Sequence, residues 1–209
     1  MTARRVTFAL LALTVAQLAV ATFVPGLEQF EGKAFGARLL AYPLMMLLVP
    51  AVWVLVRRVR GRGQPLGESA EPLPWAGFAW IMAPFLVDVT GNTLDLYDRV
   101  WWWDDANHAV NWFMLSLGAG LLLMRGDVRP RWALGLLVAG LGAILAIGWE
   151  VGEWWAFIRH GTELDTAYTD TLGDEVLGTL GSAVAGVVIA VRAGTPAPSR
   201  SRRPLPLDR

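Results

Sequence analysis

Residues 132–158 read WALGLLVAGLGAILAIGWEVGEWWAFI. No charge interrupts the stretch from Trp132 to Trp149, and then Glu150 and Glu153 arrive one helical turn apart. A helix that spans the hydrocarbon of a bilayer needs about 20 mostly apolar residues, so the stretch is long enough to cross. Its two carboxylates lie where an apolar run has no use for them. Similar runs lie on either side: residues 6–24, 37–56, 75–96 (containing Pro84), 105–124 and 171–191. The last is the weakest, with Asp174, Glu175 and several Gly. The expected fold is therefore all-α, a polytopic transmembrane bundle of six helices. Residues 1–192 would form one transmembrane domain, and residues 193–209, rich in Pro, Ser and Arg, a disordered basic tail. Residues 6–24 admit a second reading as a signal peptide, because Arg4 and Arg5 precede the run and Ala19-Val20-Ala21 suits a cleavage site.

Composition agrees with a membrane protein. The chain of 209 residues is 55% hydrophobic and 17% charged, with 11 Trp and no Cys. That excludes a disulfide framework, a thiolate metal site and a Cys nucleophile, and it excludes a disordered chain. The formal net charge is zero, but the charges are not mixed. With the N-terminus in the cytoplasm, 14 of the 18 bases fall on the inner side, which is the bias that sets orientation. Both termini are then cytoplasmic, and Lys33, Arg38, Arg99 and Arg159 are the outer bases. Fourteen of the 18 carboxylates fall in outer loops or outer helix halves. The localisation expected is the bacterial inner membrane, multi-pass, with membrane lipids as partners. No nucleotide-binding Gly-rich loop is present, and the basic tail lacks the aromatic interleaving of a nucleic-acid binder.

A charge near the bilayer centre costs at least about 2.5–3.5 kcal/mol, so acids within helices need partners inside the bundle. Spacing places them on shared faces, since residues at i, i+4 and i+7 lie on one side of a helix. Asp88, Asn92 and Asp95 have this spacing, as do Asp104, His108 and Asn111; Glu150 and Glu153 are three apart, and Asp170 and Asp174 four. Asp88 and Glu150 would sit about eight residues below their outer boundaries, or about 12 Å deep. The simplest packing turns the four stripes onto one outward-facing cavity.

Carboxylates, an imidazole and amides form a hard donor set that suits Mg²⁺, Mn²⁺, Ca²⁺ or Zn²⁺. We assign His108, Glu153, Asp170 and Asp174 as candidate metal ligands and Glu150, Asp88 and Asp104 as candidate catalytic groups. Simpler roles stand beside these. Asp104 or Asp105 suits an N-cap of the fourth helix, and Asp170 an N-cap of the sixth. The run Trp101-Trp102-Trp103 with Trp154 and Trp155 suits an interfacial belt, and Gly178, Ser182 and Gly186 a close-packing face.

The motifs also resemble a known family. Leu96-Tyr97-Asp98 with Trp102-Trp103-Asp104-Asp105-Ala106-Asn107-His108, then Trp149-Glu150-x2-Glu153-Trp154, then Tyr168-Thr169-Asp170-Thr171-x2-Asp174 are similar to the YjdF-like family of bacterial inner-membrane proteins. The likeness covers about residues 80–190. A more distant likeness is to VanZ-like membrane proteins, which are associated with glycopeptide resistance. Their Asn after the Asp-x3-Asp motif has no counterpart here, where Gly178 and Thr179 stand. The resemblance implies a role at the cell envelope. Three functions follow: a divalent-metal-dependent hydrolase of an envelope lipid or cell-wall precursor, an ion- or proton-coupled transporter of a small molecule, or a non-catalytic scaffold with a structural polar network.

Overall fold

The computed structural model describes residues 1–24, 26–60, 72–156, 158–160 and 164–194. Among these the chain is helical throughout, without strands. The helices are α1 (Ala3–Phe23), α2 (Phe35–Arg60), α3 (Trp75–Thr93), α4 (Leu96–Arg99), α5 (Trp103–Leu123), α6 (Arg131–Ala156) and α7 (Leu164–Arg192). Single 3-10 turns, Glu28–Phe30 and Ile158–His160, sit in two of the connections. The tail from residue 195 onward, and most of the linker expected at residues 61–74, lie outside the described residues.

Among the described residues, four helices are long and apolar enough to cross a membrane: Ala3–Phe23, Phe35–Arg60, Arg131–Trp155 and Thr166–Arg192. α3 and α5 carry more polar residues, and packing supplies the reason. α3 lies against α1 and α5, and α5 lies against α3 and α7. A helix that faces protein on several sides need not match the apolarity of lipid. Small residues bring the central pair close. A Cβ on Gly118 would stand 2.8 Å from the Gly77 carbonyl oxygen, so neither position accepts a larger side chain. α6 and α7 cross similarly at Gly135 and Gly186, and Ser116 of α5 donates to or accepts from Ser182 of α7 at 2.9 Å. The Gly178, Ser182, Gly186 face is thus a packing face. Pro43 and Pro50 lie inside α2, where their lost hydrogen bonds are tolerated in an apolar bundle.

The helices alternate in direction, which gives the bundle two chemically different ends. The Thr7 hydroxyl donates to the Trp75 carbonyl at 3.0 Å and the Arg125 guanidinium to the Pro72 carbonyl at 2.6 Å, marking one end. Arg57, Arg58 and Arg60 close α2 there, and Arg192 closes α7. The other end is joined by the Gln29 amide, which donates to the Thr93 carbonyl at 2.8 Å, and by Lys33, which bridges Asp95 at 2.6 Å and Asp98 at 2.7 Å.

Three boundaries differ from the sequence reading. α3 stops at Thr93 rather than near residue 96, because Asp95 adopts a left-handed φ of 61° and starts the short α4. Asp104 and Asp105 lie in the first turn of α5 rather than at its N-cap, which is Trp102. α7 begins at Leu164, so Asp170 lies well inside the helix and caps nothing. No Gly or Pro occurs between residues 164 and 172, so the helix continues past its apolar segment. The earlier α3 stop also makes Asp88 shallower. It lies five residues from the helix end and Glu150 six from the end of α6, or about 8–9 Å rather than 12 Å.

Candidate functional site

The end marked by Lys33 opens into a cavity of about 820 Å³ walled by α2, α3, α4, α5, α6 and α7. All seven candidate residues line it: Asp88, Asp104, His108, Glu150, Glu153, Asp170 and Asp174. They do not form one cluster. They divide into an acid–histidine group and an acid–arginine group.

The first group is centred on His108 of α5. Its Nε2 stands 3.6 Å from Asp104 Oδ1, one turn earlier, and 3.6 Å from Asp174 Oδ1 of α7. Its Nδ1 stands 3.7 Å from Glu150 Oε1 of α6. These gaps exceed a hydrogen bond, which for N–H···O is about 2.7–3.2 Å. Glu150 and Asp174 are buried, and both His108 Nδ1 and Glu150 Oε1 are buried without a hydrogen-bond partner. Glu153 lies beside them and accepts from the Trp149 indole at 3.1 Å. Donor atoms of Asp104, His108 and Asp174 lie within 4.8 Å of one another, and so do those of His108, Glu150 and Glu153. Either trio could hold a cation. Two ligands about 2.0–2.2 Å from one tetrahedral ion are about 3.4 Å apart, close to the gaps found here. Asp170 lines the cavity one turn before Asp174 but belongs to neither trio.

The second group surrounds Asp88. Arg38 donates to its Oδ2 at 2.8 Å and the Tyr42 hydroxyl to the same oxygen at 2.6 Å. The Tyr97 hydroxyl donates to Oδ1 at 2.8 Å and the Asn92 amide at 3.2 Å. A chain of amides continues the network: Asn107 donates to Tyr97, and Asn111 to Asn107 at 2.9 Å. Burial, followed by the charge of Asp88, raises the Tyr97 phenol well above its usual range, so it stays protonated and donates. Both oxygens of Asp88 are engaged.

The chain matches the family described as Predicted membrane protein (DUF2238) over residues 7–194. It belongs to that family. The matched region contains every cavity residue named above and runs from α1 to the end of α7. This agrees with the YjdF-like resemblance of the motifs. No curated protein matches the chain, and no solved structure does. Family membership and the apolar helices together make this a multi-pass membrane protein.

Sequence reasoning missed the partners of Asp88. Arg38 counted there only as an outer base, although it begins an apolar run and stands four residues before Tyr42, a spacing that puts both on one face. Asn107 was hidden next to His108. Tyr97 lay inside a quoted motif without a role. At the rim, burial of Lys33, which on its own lowers its pKa, is outweighed by Asp95 and Asp98, so the ammonium is held charged. The Lys33 contact in turn, with Asp98 and Arg99, brings Asp95 down to about 2. Trp101 and Trp155 are exposed, as an interfacial belt requires.

Proposed function

We propose that this protein is a divalent-metal-dependent hydrolase of the bacterial inner membrane, acting on an envelope lipid or cell-wall precursor. The observation that carries the proposal is His108, with carboxylates facing both ring nitrogens across gaps of 3.6–3.7 Å. Several acids so close cannot all stay ionised without a cation or protons between them. The donor chemistry, one imidazole with carboxylates and no thiolate, fits Zn²⁺ or Mn²⁺ better than Mg²⁺ or Ca²⁺.

In this reading Asp104, His108 Nε2 and Asp174 hold the ion, and Asp170, one turn before Asp174, lines the cavity outside that ligand set. Glu150 faces His108 Nδ1 at 3.7 Å, and with an ion bound it would accept the Nδ1–H by a small closure of that gap, fixing the tautomer that leaves Nε2 free to ligate. Glu153 is the general base, positioned by Trp149. A bound ion would supply Lewis-acid polarisation of a phosphoryl or acyl group. Asp88 keeps Arg38 oriented at the opposite wall, where a guanidinium suits an anionic headgroup.

The reading includes six spans with both termini in the cytoplasm, residues 1–192 as one domain and residues 193–209 as a basic tail, with membrane lipids as the partners. It follows from the gathering of bases at one end of the bundle. The opposite half is closed by Leu117, Leu134, Val138, Ala185 and Ile189, which form a buried cluster. That supports a site open on one side over a transporter with a continuous pathway. The test is metal content after purification in lipid nanodiscs. One divalent ion per chain is expected, lost in His108→Ala and in Asp174→Asn. No bound ion, and no thermal shift on adding Zn²⁺ or Mn²⁺, removes the proposal.

A further inference from the structure

The cavity has an apolar half that the acid–histidine chemistry does not use. Met45 of α2, Phe85 of α3, Leu115 of α5, and Leu145 and Gly148 of α6 line it. α2 packs on α1 and α3, and α6 packs on α7 and α5, but α2 and α6 are not a packed pair. Their backbones therefore stand apart, and Trp149 of α6 reaches across toward the cluster that holds Tyr42, Met46 and Phe85. A Cβ on Gly148 would meet nothing within 4 Å. Met45 and Leu145 are 40% and 42% exposed although both line the cavity.

The surroundings of this gap identify what fills it. Both flanking helices are long and apolar enough to cross a membrane. Their outward residues nearby, Leu44 and Leu48 on α2 and Leu141 and Ile144 on α6, are exposed and apolar. In a bilayer such a surface meets acyl chains. Leu145 lies five residues from Glu150 and Met45 seven from Arg38, about 8–10 Å along their helices. The gap thus lies below the polar groups, at the depth where lipid tails run. A cavity of 820 Å³ is within the range of about 300–1,000 Å³ that small-molecule sites occupy.

We propose that one acyl chain of a membrane glycerophospholipid enters sideways between α2 and α6. It lies along Met45, Phe85, Leu145 and Gly148, and its headgroup reaches His108 and Arg38 at the polar end. This deepens the proposed function by fixing the substrate's class and its route. It needs the membrane-spanning placement of α2 and α6 but not the metal.

The chain has no cysteine, so Gly148→Cys carries a single thiol for a bimane label. In phosphatidylcholine–phosphatidylglycerol liposomes, doxyl-labelled phosphatidylcholine is expected to quench this label at least half as strongly as one at the outward Ile144→Cys. Aqueous iodide is expected to quench it weakly. Quenching by iodide alone overturns the proposal, because the gap would then open to water. Independently, purified protein is expected to retain about one phospholipid per chain, and Gly148→Trp to lower that at least fivefold with divalent-metal content unchanged. Lipid retention equal to wild type in Gly148→Trp also overturns it. Loss of metal binding with lipid retention and doxyl quenching intact would instead remove the hydrolase reading and leave the lipid groove standing.

Discussion

Asp88→Ala removes the acceptor that Arg38, Tyr42 and Tyr97 share. Breaking a fully buried ion pair costs about 3–5 kcal/mol, and breaking an exposed one about 0–1 kcal/mol. The Arg38 and Asp88 side chains are 20% and 17% exposed. Water in the cavity can solvate part of the stranded guanidinium, so the pair falls between these limits, at about 2 kcal/mol. Each phenol left without its acceptor adds up to about 1 kcal/mol where no water replaces the carboxylate. The expected loss is about 3 kcal/mol. Asp88→Asn keeps an acceptor for the phenols and loses only the charge, so about 1–2 kcal/mol is expected. Arg38→Met combined with Asp88→Leu strands no charge and is expected to be less destabilised than Asp88→Ala alone. The assay is equilibrium unfolding in mixed detergent micelles, with the double-mutant cycle read for coupling. Single variants within about 0.5 kcal/mol of wild type, or a double variant equal to the sum of the singles, would refute the reasoning. A purely catalytic Asp88 predicts a different pattern, in which Asp88→Asn abolishes turnover and leaves stability unchanged.

Three further outcomes are expected. Glu150→Gln should weaken divalent-metal binding by about 10–100-fold, measured by competition with a metallochromic chelator; unchanged affinity would show that Glu150 does not orient His108. The pKa of Asp95, lowered to about 2 by Lys33, lies below the unfolded value of about 3.9. Its contribution is therefore fully present above that value and is lost as pH falls from about 4 to about 2. Thermal unfolding of wild type should drop more over that window than that of Asp95→Asn, and parallel profiles would contradict the salt bridge at the cavity mouth. Gly181→Ala, whose new Cβ would run into the Ala109 carbonyl, should cost about 1–3 kcal/mol. Gly152→Ala, in open space, should be neutral or slightly stabilising because Ala favours the helix; equal effects in a melting assay would refute the close α5–α7 packing.

Much of the candidate site was legible because helical spacing is local. His108 is one turn from Asp104 and Asp174 one turn from Asp170, and any helix through those residues puts each pair on a common face. The depth of an acid was less legible. Asp88 looked deeper than it is because the end of α3 depends on the left-handed turn at Asp95, and an apolar run continues through Leu94 and Leu96 without marking it. The capping roles read for Asp104 and Asp170 failed for a related reason. A cap is defined by where a helix starts, and the starts at Trp103 and Leu164 are set by chain connections beyond the apolar segments.

The sequence by itself determined that the chain is a helical membrane protein with acids clustered toward one end, because length, hydropathy and charge order follow from the residues alone. It did not determine which acids meet which partners. Asp88 and Glu150 read alike, as carboxylates set deep in apolar helices with polar residues one turn away. Tertiary packing separated them: α2 brings Arg38 and Tyr42 to Asp88, whereas α5 and α7 bring His108 and Asp174 to Glu150. Arg38 and Asp88 are fifty residues apart, and no local rule relates residues at that distance. Their pairing depends on how the helices pack around the cavity, and that decided which carboxylate is held by an arginine and which is left facing an imidazole.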